Sequence, residues 1–282
     1  MPRIVIATCN AFPDLQPSDD VLACALRDLG AEVIAAPWNG DQLAFDDADA
    51  VIIRSTWDYQ DTPKTFGEWF EALAARTRVF NSAALMRWNL SKRYLAGLQA
   101  AGVLMPALKL VEPTAESIAD AMDDLALEIA VVKPEFGATS SGLSVITRYD
   151  EAGMRRAAAK MAMPGLVQAL APEIETAGET SFTFIDGEFT HAVTKTPKSG
   201  DIRCQAEFGG TSKLAEPPAW ALVQAARILN MFAEMPLYAR IDVIMLDGRL
   251  QLMEVELIEP ELFFTYCPEA AARLAAALIK HL

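Results

Sequence analysis

Residues 250–264, LQLMEVELIEPELFF, place Glu254, Glu256, Glu259 and Glu261 inside a stretch that is otherwise mostly apolar. This stretch narrows the fold more than any other part of the chain. A buried carboxylate without a partner is strongly disfavoured, so these groups have to meet cations, bind a metal or stay protonated. Just before them, Asp247-Gly248 separates the run from a second apolar segment, YARIDVIM. Asp-Gly between alternating strands is the strongest short-range hairpin signal. Asp186-Gly187 repeats it inside SFTFIDGEFTHAVTK. The C-terminal part is therefore expected to be an antiparallel sheet built from hairpins, closed by a terminal helix in PEAAARLAAALIKHL.

Side chains alternate across a strand, so Glu254 and Glu256 share a face. Counting back across a two-residue turn sets 246 opposite 249 and 242 opposite 253. That leaves Asp242 one step out of line with Glu254, and a small change of register would align them. Carboxylates on adjacent strands repel unless cations sit among them. Mg2+ is typically held by a few carboxylates together with phosphate oxygens and water. Surface carboxylates on a wet sheet face are the competing reading. For an Asp and a Glu-x-Glu on two paired apolar strands, metal binding is preferred.

The first third alternates β-rich runs (RIVIATC, AEVIAAPW, ADAVIIRST, VFNS) with helical ones (DDVLACALRDLG, TPKTFGEWFEALAARTR). Such alternation predicts a parallel sheet with helices on its faces. No G-x-G-x-x-G follows the first strand, so a dinucleotide site has little support. Arg54, Ser55, Trp57 and Tyr59 end a strand of this sheet, where open α/β sheets usually bind ligands. The middle is a small α+β unit. In it a strand delivers Lys133 to a loop containing Gly137, Ala138, Thr139, Ser140, Ser141 and Gly142. Small residues let backbone N–H groups approach phosphate oxygens, although no G-K-[ST] closes the loop as in a Walker A motif. Lys92 lies on an amphipathic helix, where a lysine is ordinarily solvated. A further strand, GLVQAL, ends near Gln168 and Leu170.

With 282 residues, 52% of them hydrophobic, the chain can build a core shared by two or three subdomains. A formal net charge of −14 without any Lys/Arg-rich run argues against nucleic acid as a partner. A small anion arriving with Mg2+, which neutralises it, is compatible with this charge. No stretch is long enough to span a membrane, and the opening MPRIVIATCN is too short and too β-branched for a signal peptide. Four scattered cysteines without a C-x-x-C pair fit a reduced, cytoplasmic protein.

The order of these features is a helix lysine, a strand lysine before a Gly/Ser loop, a strand-to-linker crossing, then hairpins carrying Asp and Glu-x-Glu. That order resembles the ATP-grasp superfamily over essentially the whole chain. The resemblance implies an α/β and α+β architecture: a Rossmann-like parallel-sheet domain at 1–82, a central ATP-grasp subdomain with linker helices at 83–170, and a C-terminal subdomain carrying the metal site at 171–282. The two α+β subdomains would clamp ATP. It implies that Lys92 and Lys133 contact the phosphates under a mobile loop of Gly137, Thr139, Ser140, Ser141 and Gly142. Gln168 and Leu170 would offer groups to adenine at the hinge, Glu173 or a neighbour would hold the ribose, and Met253 would pack under the base. Asp242, Glu254 and Glu256 would carry Mg2+, with two ions implied. Glu256 departs from the Glu-x-Asn common in the superfamily, which leaves the ligation of the second ion open.

TCN at 8–10, RSTWDY at 54–59, GEFTHAVTKTPKSGDIRCQAEFGG and MEVELIEPELF resemble more narrowly the ATP-grasp enzymes related to the O-ureido-serine cyclo-ligase of cycloserine biosynthesis. The implied chemistry is activation of a carboxylate by ATP and attack by an amine on the acyl phosphate. Lys195, Arg203 and Arg240 would supply positive charge where two anions meet. Asn10, Arg54, Ser55, Trp57, Tyr59 and His191 become substrate-side candidates. His191 is odd-numbered like Lys195 and so expected on the same strand face, with a purely structural histidine as an equal alternative. The expected partner is a small amino-acid-like molecule; an oligomeric state is left open. An intermolecular amino-acid or peptide ligase and a catalytically silent nucleotide-binding module are the alternatives.

Overall fold

The computed structural model describes residues 1–137, 142–204, 206–246 and 248–282. Thr139, Ser140 and Ser141, named above for the phosphate loop, and Asp247 of the second hairpin turn lie outside the described residues.

The N-terminal alternation forms β1 (Arg3–Thr8), α1 (Pro17–Asp28), β2 (Glu32–Pro37), α2 (Leu43–Asp46), β3 (Ala50–Ile53), α3 (Pro63–Ala74) and β4 (Arg78–Phe80). The four strands are parallel, in the order β2-β1-β3-β4. β1 and β3 are apolar on both faces because helices cover both. Val5, Val51 and Ile53 meet Phe66 and Phe70 of α3 on one side. On the other side Ile4, Ile6 and Ile52 meet Leu22 and Leu26 of α1.

Next come α4 (Ala83–Leu90), α5 (Arg93–Ala100), β5 (Leu108–Val111), α6 (Ala115–Asp124), β6 (Ile129–Pro134), β7 (Ser144–Thr147), α7 (Glu151–Lys160) and β8 (Gly165–Ala169). Thr114 caps α6 by accepting from the Ser117 N–H at 3.1 Å, as Ser and Thr do at helix starts. The strands make an antiparallel sheet, β5-β8-β6-β7.

The third part holds α8 (Ile174–Ala177), β9 (Glu179–Ile185), β10 (Glu188–Thr196), β11 (Thr211–Ala215), α9 (Ala219–Leu229), β12 (Tyr238–Leu246), β13 (Arg249–Glu256) and α10 (Pro268–Lys280). Its sheet is antiparallel, β11-β10-β9-β12-β13. Both Asp-Gly hairpins put glycine at positive φ, 81° at Gly187 and 74° at Gly248, a conformation that favours glycine. The chain then returns to its beginning. Leu274 and Leu278 of α10 join Leu22 and Leu26 of α1 in one apolar cluster. Among the described residues no helix is long and apolar enough to cross a membrane.

β13 is an edge strand, and its free edge would leave backbone groups unpaired. Side chains from the connecting helices satisfy them. The Val255 N–H donates to the Tyr94 hydroxyl, which lies 2.9 Å from the Val255 carbonyl as well. Asn89 accepts from the Leu257 N–H and donates to the Val255 carbonyl, both at 2.8 Å. The strand carrying Glu254 and Glu256 is thereby fixed from both sides.

Candidate active site

The three sheets converge on a cavity of about 860 Å³. One end is an apolar slot of Val131, Leu143, Ala169, Leu170, Ala171, Ile174, Ile202, Cys204 and Met253. The centre is charged, with Lys92, Lys133, Glu179, Lys195, Arg240, Asp242, Glu254 and Glu256. The far end carries Phe12, Trp57, Asp58, Tyr59, Glu259, Glu261 and Phe263.

The register of β12 and β13 decides the charged centre. Leu246 faces Arg249 and Val243 faces Leu252, but Asp242 faces Glu254. Met253 is therefore an extra residue, a β-bulge, that resets the alternation. Arg240 faces Glu256 two residues on. Arg240, Asp242, Glu254 and Glu256 thus share one face.

Each of these three carboxylates is met by a cation. Asp242 accepts from both Nε and Nη2 of Arg240 at 2.9 Å, from Lys195 Nζ at 2.9 Å and from Ser181 Oγ at 2.7 Å. Burial would raise its carboxyl, but Arg240 and Lys195 outweigh it and hold the group well below the usual carboxylate range. Glu256 pairs with Arg240, and Glu254 pairs closely with Lys92. Burial, then the neighbouring Asp242 and Glu254, push Glu256 up to about 8 despite Arg240. Lys195 also pairs with Glu179, its cross-strand neighbour. Among the described residues, no three Asp, Glu, His or Cys side chains are drawn together as a ready metal cage. The carboxylates line a wall instead.

Lys133 differs from the other cations. Its ammonium donates to Gln168 Oε1 at 2.8 Å and forms no ion pair among the described residues. Burial lowers its pKa, with Glu254 working against this and Lys92 adding to it. Beside it, the Gln168 Nε2 is buried without a hydrogen-bond partner among the described residues. An unpaired ammonium and an unpaired amide donor side by side fit an anionic, oxygen-rich ligand.

Of the residues singled out from sequence, Lys92, Lys133, Gly137, Gln168, Leu170, Lys195, Arg240, Asp242, Met253, Glu254, Glu256, Trp57 and Tyr59 lie on the cavity wall. Seven described residues do not. Arg54 and Ser55 are 2% and 0% exposed and point beneath the wall. Arg54 Nε donates to Asp19 at 2.8 Å and Nη2 to the Pro260 carbonyl at 2.6 Å, while Ser55 donates to the other Asp19 oxygen. Asn10 is exposed and bonds Asn39. His191 shares a strand face with Lys195, but four residues span about 13 Å. Its Nε2 is taken by the Leu262 carbonyl at 2.9 Å. Arg203 pairs with Asp201 at 2.7 Å and stacks on the Phe208 ring at 3.9 Å. Glu173 stands at the start of α8, off the wall, whereas Glu179 faces in. Gly142, at φ 72°, packs so closely on Pro134 that a Cβ would come within 2.6 Å of it.

Sequence reasoning missed Glu179, Cys204, Glu259, Glu261 and Phe263 as wall residues. Glu259 was visible as a carboxylate in an apolar run; its partner, the Tyr59 hydroxyl, lies some two hundred positions away. Burial pushes the Glu259 carboxyl up to about 7, with the Tyr59 hydrogen bond acting against this.

A parallel-sheet domain and two antiparallel units closing on one cavity of charged and apolar halves define the ATP-grasp fold, and the chain is an ATP-grasp ligase, of the enzymes that form carbon–nitrogen bonds. Among the proteins it resembles is D-cycloserine synthetase DcsG: that crystal structure matches with a TM-score of 0.86 and 25% identity, covering 99% of each chain. The family model for the N-terminal domain of D-cycloserine synthetase DcsG matches residues 4–81. The cycloserine biosynthesis protein DcsG of Streptomyces lavendulae is 29% identical over 273 residues, 92% of this chain and 91% of that protein. A glutathione synthetase of Prochlorococcus marinus (strain MIT 9313) is 28% identical over 255 residues, 86% of this chain and 77% of that one. The D-alanine–D-alanine ligase of Bacillus anthracis shares the fold, with a TM-score of 0.70 at 16% identity over 99% of this chain and 97% of that one.

Proposed function

We propose that the chain is an ATP- and Mg2+-dependent carboxylate–amine ligase that activates the carboxylate of a small amino-acid-like substrate as an acyl phosphate. An amine of the same molecule then closes a ring. The observation that carries this reading is the wall on which Asp242 faces Glu254 while Arg240, Lys195 and Lys92 stand among the carboxylates. A γ-phosphate and a carboxylate are both anions, and bringing them together needs fixed positive charge. Arg240 and Lys195 are held in place by Asp242, so their charge is preorganised. The apolar slot between Val131, Leu170 and Met253 suits a base, and Lys133 with the orphan Gln168 amide suits the phosphates.

Mg2+ would be held by Asp242, Glu254 and Glu256, where it would neutralise phosphate charge and polarise the transferred phosphoryl group. One or two carboxylates per ion suffice for Mg2+ bound together with phosphate oxygens, so the assignment does not require a cage. Glu254 would then exchange Lys92 for the metal, freeing the lysine for phosphate. Burial of the centre keeps water from the acyl phosphate.

The test is release of ADP and phosphate with Mg-ATP and a panel of single amino acids and pairs, including O-ureido-serine, followed by mass spectrometry of the products. A product derived from one substrate molecule and lighter than it marks ring closure, by one water where the attacking nitrogen keeps its substituent and by carbamic acid where the O-ureido nitrogen also sheds its carbamoyl group to water. A product joining two molecules would favour the second reading, intermolecular ligation, which the glutathione synthetase and D-alanine–D-alanine ligase matches support. No Mg-ATP binding in a calorimeter would leave neither.

A further inference from the structure

We propose that Glu259 receives the ammonium group of the substrate, and that Glu259 with the rings of Tyr59 and Trp57 forms an amine subsite at the far end of the cavity. The proposal rests on the ligase reading above and adds the group that selects its substrate.

Glu259, at the far end, differs from the carboxylates of the cavity centre. Glu179, Asp242, Glu254 and Glu256 each have a lysine or arginine partner. Glu259 is only 9% exposed and lines the cavity, yet it forms no ion pair among the described residues. Lys92, whose charge reaches it, is paired with Glu254. Its side chain accepts a hydrogen bond from Tyr59. It also accepts from its own backbone N–H, and a carboxylate has about four acceptor sites, so about half of its capacity is unused. A carboxylate buried without a counter-charge is costly on its own, and a cationic ligand group removes that cost on binding.

The surroundings are built to hold it still. The Glu259 carbonyl accepts from Trp57 Nε1 at 3.0 Å, and the next carbonyl, of Pro260, accepts from the buried Arg54 at 2.6 Å. Leu262 is tied through its carbonyl to His191 at 2.9 Å. This strap therefore presents Glu259 in one position. Phe12, Trp57, Tyr59 and Phe263 line the same end, with Phe12 and Trp57 packed edge-on at 5.4 Å. Aromatic faces attract ammonium groups. A carboxylate and aromatic faces together favour an amine over a neutral hydroxyl at this point.

The experiment loads the wild type, E259Q and E259D with Mg-AMP-PNP and titrates each in a calorimeter. The probes are O-ureido-D-serine, D- and L-serine and D-alanine, together with analogues in which hydrogen or hydroxyl replaces the α-amino group. The wild type is expected to prefer at least one amino compound over its deaminated analogue by about tenfold or more, as for a charge-assisted hydrogen bond. E259Q should lose the preference, E259D should recover part of it, and all three should bind Mg-AMP-PNP alike. Equal binding of both compounds, a preference surviving in E259Q, or a nucleotide-loaded wild type that takes no amino compound would overturn the proposal. Loss of Mg-AMP-PNP binding confined to folded E259Q would also overturn it, by making Glu259 a metal ligand. A wild type that fails to bind Mg-AMP-PNP would remove the ligase reading itself.

Discussion

Asp242 lies directly opposite Glu254 because Met253 is inserted as a bulge between Glu254 and Leu252. Without that residue out of step, Asp242 would face Met253 and the two carboxylates would fall on opposite sides of the sheet. The two residues nevertheless carry different burdens. Asp242 is 2% exposed and holds two cations in place, while Glu254 is only partly buried.

This difference predicts a split between stability and turnover. Asp242→Asn leaves Arg240 and Lys195 facing a neutral amide, and should cost about 3–5 kcal/mol of stability as well as abolishing ADP release. Glu254→Ala should abolish ADP release while shifting the thermal midpoint little. Thermal unfolding and a coupled ADP assay on both variants check this. Full activity in Glu254→Ala would remove the metal assignment.

Arg54 gives a second prediction. It ties the end of β3 to α1 through Asp19 and to the 258–263 strap through the Pro260 carbonyl, with its side chain enclosed. Arg54→Met therefore strands the Asp19 carboxylate and should destabilise the fold by about 3–5 kcal/mol. A substrate-contact role would instead leave unfolding unchanged and raise only KM. Denaturant unfolding beside steady-state kinetics separates the two.

Tyr94 gives a third. Its hydroxyl serves both backbone groups of Val255 on the open edge of β13. Tyr94→Phe keeps the ring and removes the hydroxyl, leaving the Val255 N–H unsatisfied at about 1–3 kcal/mol while the Val255 carbonyl keeps its bond from Asn89. The expected result is a lower thermal midpoint and faster amide exchange at Val255 and Leu257. An unchanged midpoint would mean that water satisfies this edge.

Much of this was legible in sequence where the signal is local. The Asp-Gly turns follow from backbone preference, and the alternating N-terminal segments from hydrophobic period. Lys133 and Gln168 could be placed because each ends a short apolar strand. What stayed hidden depends on distant partners. A bulge at Met253 changes no local propensity; it is set by what both strands pack against. The end of β3 does reach the cavity, as parallel-sheet geometry suggests. Which residues face it is decided by Asp19, which draws Arg54 and Ser55 inward and leaves Trp57 and Tyr59 exposed to the cavity. His191 shares the face of Lys195 but is spent on Leu262.

Glu259 carries the fourth prediction. Its carboxyl, with an ordinary value of 4.5, is pushed up to about 7 by burial. Between those values the folded state holds more protons at this site than the unfolded state. Stability from this group is therefore present below about pH 4.5 and is lost as pH rises through about 7. Glu259→Gln keeps the shape, has no proton to lose and can still accept from Tyr59. The variant should match the wild type near pH 4.5 and exceed it at pH 8 by on the order of 1–3 kcal/mol. Unfolding of both proteins in guanidinium across this range checks the difference, which cancels other titrating groups. A variant less stable than the wild type at pH 8 would mean that the carboxylate already has a counter-charge in the folded protein, and the room for a substrate ammonium would be gone.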